Sequence, residues 1–447
     1  MYIESAGRGP DVVILHGLPQ DPAELAELAA ELRAVFTVHV VHLPGYGESA
    51  APEGPYDFVA VERELIADLR ARGVERAAVV GMSGGCYRAF HLALRSDLPV
   101  WGIVGIGPLG HVHAQNHAAL HQYADAFEAG VDMRLQAVGR MFSAAWAAGN
   151  PARAMEIVDA NLAAAPLPLV AGELRAICAM PDLRDEMGTL DIPVTLRVGA
   201  LDVATPPFLS EELVGLLPQG RLDVVPGAGH MLHMEDGPAT ASAVRVALMQ
   251  ALPRSERLAL AAAQLALDTL PSDHAEIRDR VCVVACDVVG GDYGTVFGLE
   301  KVQDGAFTSW GAAVGDAEVA AVWRPDERRT LPHGLPVWDP AAPLPSHEMQ
   351  FLSLEETAHD VAIGPLIATL QTFYMPARIV DQARALLYSP EGRFVAFLGV
   401  LSRRRLAQEK LDDAQSLVEA FRDALLRADQ LAGVPAHPEG VPYFRRA

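Results

Sequence analysis

Five residues, "GMSGG" at 81–85, place a serine between small neighbours just where a valine-rich run gives way to a helical pattern. A serine hydroxyl is a poor nucleophile at neutral pH. It needs a base beside it, an acid to orient that base, and hydrogen-bond donors where an oxyanion will form. A tight strand-to-helix turn answers part of that need. It demands small residues around the serine and sets the hydroxyl beside a helix N-terminus. Gly81, Gly84 and Gly85 supply the small neighbours of Ser83. The pattern is short and arises by chance, so an inert turn serine is its bland alternative.

Three further stretches lie in the order that a nucleophile, its acid and its base require. "HGLP" at 16–19 follows the first clear strand, and its turn can offer the backbone N–H of Leu18, with Gly84 offering a second. "GALDVATPP" puts Asp202 at the end of a later strand, and "GHMLHMED" puts His230 after the last one. With "PGYGES" at 44–49, these landmarks resemble the α/β-hydrolase superfamily, in its capped, esterase and haloperoxidase-like branch. The resemblance covers residues 1 to about 252. It implies Ser83 as nucleophile, His230 as base and then acid, Asp202 as orienting acid, and Leu18 and Gly84 as the oxyanion hole. Epoxide hydrolases and haloalkane dehalogenases, related by "HGLP", use an aspartate where this chain has Ser83. The triad supplies its own base, so neither a metal nor another cofactor is expected.

Other polar residues have quieter roles. His16 is expected to brace the oxyanion turn, and His233 to lie outside the catalytic group. Glu235 and Asp236 are expected to cap the last helix, Asp191 is a weaker acid candidate than Asp202, and Cys86 should pack beneath the serine. "HVHAQNHAALHQY" sets His113, His117 and His121 at helical i, i+4 spacing, with His111 just before. Three stacked imidazoles are a ligand pattern for a divalent metal. They equally suit a pocket wall or a solvated face, and no cysteine or carboxylate completes a ligand set. Candidate pocket residues are His16, Met82, His111, His113, Phe142, Trp146 and Met231.

These residues need elements to hold them. "DVVILHG", "FTVHVVH", "RAAVVG" and "VWGIVGIG" read as buried strands, with helical patterns between them. "DPAELAELAAELRAV" opens on Asp21 as cap, Pro22 in the first turn and Glu24 as a capping-box partner. Alternation of this kind predicts an α/β fold, a doubly wound, mostly parallel sheet with helices on both faces. From about 111 to 188 the pattern is helical throughout, which predicts a cap inserted between two late strands. Its Ala, Leu, Met and aromatic content suggests an apolar substrate portion. The strand pattern returns at Ile192.

Past Pro253 the character changes. "VCVVACDVVGGDYGTVFGLEKV" reads as two antiparallel strands about a glycine turn, "ARALLYSPEGRFVAFLGVL" as a second hairpin turning at 389–392, and "LAQEKLDDAQSLVEAFRDALLRADQLA" as one closing helix. The segment 254–433 is thus a separate α+β domain, followed by a tail, 434–447. It resembles the GAF-like sensory region of LuxR-type regulators, a PAS/GAF-like class of domain, without their DNA-binding module. The resemblance implies a ligand-binding or dimerisation role, so a homodimer through this domain is expected.

Length and charge set the outer bounds. The chain has 447 residues, more than one ordinary core, and a formal charge of −22. That balance disfavours nucleic acid and anionic membrane as partners and leaves a small-molecule substrate. Four sparse cysteines, Cys86, Cys178, Cys282 and Cys286, form no disulfide framework. No leader or spanning segment is evident, so a cytoplasmic protein is expected. The function expected is hydrolysis of a small, mainly apolar ester, lactone or thioester through an acyl-enzyme. A sensor signalling through the second domain, or an acyltransferase, are the alternatives.

Overall fold

The computed structural model describes residues 1–303, 306–314, 349–353, 355 and 379–436. The chain divides into two compact units, Met1–Leu252 and Pro253–Ala447.

The first unit is built on seven strands: β1 (Tyr2–Gly7), β2 (Asp11–Leu15), β3 (Thr37–His42), β4 (Ala77–Met82), β5 (Val100–Ile106), β6 (Val194–Gly199) and β7 (Gly220–Val225). They lie side by side in the order β1-β3-β2-β4-β5-β6-β7. β1 runs antiparallel to β3, with Tyr2 opposite His42, and every other pairing is parallel. β4 is buried along its whole length and β2 nearly so, as a strand covered on both faces must be. That double burial is why these strands are continuous apolar runs. β1 went unread in the sequence because it is an edge strand with only Ile3 buried.

Helices α1 (Ala26–Arg33), α2 (Phe58–Ala71) and α3 (Gly84–Arg95) connect the early strands. A 3-10 turn, Pro22–Leu25, precedes α1, and Asp21 caps it by accepting from the Ala23 N–H. The expected capping box does not close. The Asp21 N–H that Glu24 would have taken instead donates to Asn161 Oδ1, 2.7 Å away. Between β5 and β6 come six helices: α4 (Ala114–Glu128), α5 (Arg134–Met141), α6 (Ala144–Gly149), α7 (Pro151–Ala163), α8 (Leu167–Cys178) and α9 (Arg184–Met187). The unit closes with α10 (Pro207–Leu216), α11 (Leu232–Glu235) and α12 (Gly237–Ala251). Its core includes Ile14, Leu15, Phe36 and Phe90, all fully buried, each worth roughly 1.5–3 kcal/mol of transfer free energy. Parallel pairing brings the carboxyl ends of β2, β4, β6 and β7 to one edge, where open α/β sheets hold their ligands.

The second unit contains α13 (Arg254–Leu265), α14 (His274–Val289), β8 (Tyr293–Gln303), β9 (Ala306–Val314), β10 (Leu352–Ser353), β11 (Asp381–Tyr388), β12 (Phe394–Ser402), α15 (Gln408–Ser416) and α16 (Val418–Leu431). Its sheet is antiparallel, in the order β10-β11-β12-β8-β9. The second expected hairpin is β11–β12, turning at Ser389–Gly392 with Gly392 at φ +93°. The first expected hairpin is displaced. Its supposed first strand, 281–289, is the end of helix α14, and the true hairpin is β8–β9 downstream. Asp273 starts α14 by accepting from the Ala275 and Glu276 N–H groups, and left-handed Gly290 stops it. Every residue from Val281 to Val289 except Val283 is buried. A helix enclosed on all sides has no polar period and cannot be told from a buried strand by pattern. Cys282 and Cys286 therefore lie one helical turn apart, both buried, and form no disulfide.

The expected closing helix is two, α15 and α16, broken at Leu417. Ser416 Oγ there donates to the Asp413 carbonyl, 2.6 Å away, in competition with the helical ladder. Asp413 takes Arg254 and Arg257, and Asp429 takes Arg278 and Arg393. These pairs hold the helices of this unit to its sheet and to each other. The expected tail lies, from residue 437, outside the described residues. Among the described residues no single helix is long and apolar enough to cross a membrane.

Candidate active site

Ser83 joins β4 to α3 with φ +48° and ψ −115°, a conformation that costs a non-glycine residue about 1–3 kcal/mol. Its neighbours make the turn feasible. A side-chain carbon on Gly85 would come within 2.3 Å of the Leu15 carbonyl oxygen, and one on Gly81 within 2.5 Å of the Cys86 backbone. The Ser83 N–H donates to Ile106 O at 2.9 Å, and its carbonyl accepts from Cys86 and Leu109. The backbone is therefore held from β5 and from α3 while the side chain faces a cavity. Cys86 is buried beneath, and burial pushes its thiol well up, away from reaction.

Asp202 follows β6 and is almost fully buried. Its Oδ1 accepts from the Ala204 and Thr205 N–H groups, both at 2.8 Å, and its Oδ2 accepts from Thr205 Oγ1 at 2.9 Å. His230 Nδ1 lies 2.8 Å from the same Oδ2. Burial works against the charged carboxyl, but His230 and the Thr205 bonds outweigh it and hold Asp202 below its ordinary value. A carboxylate at that distance fixes the proton on Nδ1 and leaves Nε2 with a lone pair. Thr205 was not singled out from the sequence. It lies three residues past Asp202, and nothing but the fold shows that its hydroxyl reaches back.

Glu235 is not the helix cap that its position suggested. It accepts from the Gly229 N–H at 3.0 Å, the Ser143 N–H at 3.1 Å and Ser143 Oγ at 2.6 Å. It thereby ties the loop carrying His230 to the start of α6. Asp236 precedes α12 without a side-chain cap bond.

The turn after β2 is braced by His16 and Gln20. His16 Nδ1 donates to the Gly17 carbonyl at 2.9 Å, and its Nε2 accepts from the Leu43 N–H. Full burial pushes its pKa down to about 3, so the ring is neutral. Gln20 Oε1 accepts from the Gly17 N–H at 2.7 Å, and its Nε2 donates to His233 Nε2 at 2.9 Å. His233 is buried behind the turn and not solvated. Among the described residues, the N–H groups of Leu18 and Gly84 take no acceptor, and both residues line the cavity with Ser83.

That cavity holds about 270 Å³ and is walled by Ser83, His230, the Leu18 turn and side chains of the inserted helices. Met82 and Met231 line it. His16, His111, His113, Phe142 and Trp146 do not. His16 is spent on the turn. His111 lies against Asp182 and His113 against Glu212. α4 begins only at Ala114, so His113 precedes the helix, and His117 bonds the Val112 carbonyl; the three-imidazole stripe does not form. Phe142 and Trp146 stack at 4.7 Å and pack with Ile157 and Val158. These aromatics belong to a cluster that the inserted helices build with Met231. The wall is made instead by Val112, Tyr123, Phe127, Met133, Arg140 and Asn161, among others. Among the described residues no group of three metal-ligating side chains occurs.

One buried charge pair ties the inserted helices to the serine's own helix. Arg88 on α3 meets Glu173 on α8 at 2.6 Å, and neither is exposed by more than 1%. Glu173 also accepts from the Tyr46 and Tyr56 hydroxyls, each at 2.9 Å, and the Phe58 ring lies 4.0 Å from the guanidinium.

A parallel sheet with a strained serine after its central strand, and an Asp–His pair after later strands, is the arrangement of an α/β hydrolase. Residues 12–243, just over half of the chain, match the model of the alpha/beta hydrolase family, and the chain belongs to that family. Among curated relatives, the pimeloyl-[acyl-carrier protein] methyl ester esterase of Vibrio atlanticus is 28% identical over 253 residues, 54% of this chain and 95% of that protein. The enzyme of the same name from Chromobacterium violaceum is 29% identical over 241 residues, 52% of this chain and 91% of its own. Among solved structures, a thermophilic esterase from Thermogutta terrifontis aligns with a TM-score of 0.52 at 25% identity, covering 56% of this chain and 93% of its own. The enol-lactonase from Burkholderia xenovorans LB400, at 22% identity, 55% and 95% coverage and a TM-score of 0.50, shares the fold.

Proposed function

We propose that the first unit is a serine ester hydrolase working through an acyl-enzyme. The observation that carries this reading is the 2.8 Å bond from His230 to Asp202, with His230 and the strained Ser83 lining one cavity. Ser83 Oγ attacks the ester carbonyl carbon as its proton passes to His230 Nε2. The carbonyl oxygen takes the negative charge and is met by the N–H groups of Leu18 and Gly84. Collapse expels the alcohol, which takes the proton from His230. Water then attacks the acyl carbon, again through His230, and releases the carboxylic acid and free Ser83. Asp202 keeps the imidazole in the tautomer that accepts on Nε2. The apolar wall, and the medium-length acyl esters named for the curated relatives, support a carboxylic ester with an aliphatic acyl part.

The test is hydrolysis of a p-nitrophenyl ester series by the wild type and Ser83→Ala. Turnover that depends on Ser83 supports the reading. Binding without turnover would overturn it in favour of a hydrolase-fold sensor. That second reading draws on the second unit, since the curated relatives are matched almost end to end by half of this chain. We propose a GAF-like accessory role for this unit, as a small-molecule or dimerisation module. The antiparallel sheet, with its first strand β8 beside its last strand β12, supports it.

A further inference from the structure

The chain carries 57 acidic residues against 35 basic ones, yet no Asp or Glu lines the cavity that holds Ser83. Arg140, on α5, is the fixed cation of that lining. It is half-buried, stands 5.1 Å from the Tyr123 ring and has no carboxylate partner among the described residues. Arg134, on the same helix, and Arg175 and Arg184, elsewhere among the inserted helices, are each paired with carboxylates.

Asn161, on α7, lies in the same wall and is 1% exposed. Its Oδ1 accepts from the Asp21 N–H, which settles the orientation of the amide. Its Nδ2 is then buried with no hydrogen-bond partner. A buried donor left unmade costs about 1–3 kcal/mol. Such a group calls for an explanation, and a ligand or a bound water that supplies the acceptor is one.

A buried unpartnered donor and an unpaired cation in one wall, with carboxylates kept out, favour an anionic oxygen. We propose that the substrate carries a second carboxylate on its acyl part, remote from the scissile ester, and that Asn161 Nδ2 and Arg140 bind it. The substrate class is a half-ester of an aliphatic dicarboxylic acid. This inference rests on the serine ester hydrolase reading. The acyl part stays on Ser83 through both half-reactions, so contacts to it act in both. The apolar side chains of the wall cover the methylenes between the two ends.

The experiment compares two esters of equal chain length, mono-p-nitrophenyl adipate and p-nitrophenyl hexanoate, on the full chain. The readout is the ratio of their kcat/KM values in wild type, Asn161→Asp and Arg140→Gln. Asn161→Asp keeps the acceptor for the Asp21 N–H, removes the donor and adds a negative charge, so Arg140→Gln, which adds none, is read beside it. The wild-type ratio should favour the half-ester, and each variant should lower it by about tenfold or more, the worth of a charge-assisted hydrogen bond. Arg140→Gln, on a half-exposed side chain, decides the matter should Asn161→Asp not fold. A wild type that prefers the neutral ester overturns the proposal. So does a ratio that stays within about twofold in the folded variants, less than one such bond is worth. With hydrolysis still dependent on Ser83, either result leaves the serine hydrolase reading intact. Failure of the wild type to hydrolyse either ester overturns both.

Discussion

Ser83, Asp202 and His230 each make a separable demand. On the proposed mechanism, replacing Ser83 by alanine removes the attacking oxygen, and kcat/KM for a p-nitrophenyl ester should fall by about 10⁴-fold or more. Asp202→Asn keeps the shape of the side chain and loses the charge that fixes the tautomer. Steady-state kinetics should show a fall of about 10³-fold or more in kcat with little change in KM. Asp202 also links pH to stability. Its native pKa is depressed, so its stabilising contribution is present above the ordinary carboxylate value and lost as pH falls through the lower native one. His16 acts in a higher window. Its native pKa is near 3 against an ordinary 6.5, so the unfolded chain binds the proton first as pH falls. Stability should therefore drop between those values, at up to about 1.4 kcal/mol per pH unit. Urea unfolding of wild type and His16→Asn from pH 7 to pH 5 checks this. The variant should be less stable at neutral pH and show the flatter pH dependence.

At the scale of elements, the turn from β4 into α3 and the docking of α8 onto α3 position the site. Gly85→Ala puts a carbon 2.3 Å from the Leu15 carbonyl, on backbone that is held in the sheet. Destabilisation of about 3 kcal/mol or more is expected, because a carbonyl in a central strand cannot give way. Thermal unfolding of the purified variant measures it. Glu173→Gln leaves the Arg88 guanidinium buried without its anion, which should cost about 3–5 kcal/mol. Adding Arg88→Met should recover part of that loss, since the charge left unpaired is then gone. A double-mutant cycle on urea midpoints reads the coupling; additive losses would mean that the pair does not act as a unit.

For the whole molecule, the division at Leu252 and Pro253 leaves each unit with its own sheet and its own buried side chains. Residues 1–252 alone should fold cooperatively and keep hydrolysis of small p-nitrophenyl esters. Circular dichroism and activity of that fragment test it. Light scattering of the full chain beside the fragment tests the proposed dimer, which predicts twice the monomer mass for the full chain alone.

The landmarks of the first unit were legible because backbone chemistry is local. A serine in a tight elbow needs small residues within two positions, and strands buried on both faces must be apolar throughout. Parallel strands whose carboxyl ends share one edge bring Ser83, Asp202 and His230 together although they lie far apart in the chain. The second unit was less legible where burial erased pattern: the end of α14, Val281–Val289, is almost wholly buried and reads as a strand. The sequence by itself thus determined the α/β hydrolase family and the candidate triad. Tertiary structure alone decided which side chains of the inserted helices face the cavity. Phe142 and Trp146 turn to the cluster with Met231, while Arg140 and Asn161, unremarkable as letters, line the wall. Facing depends on where a helix begins and what packs behind it, and residues far apart in the chain set both.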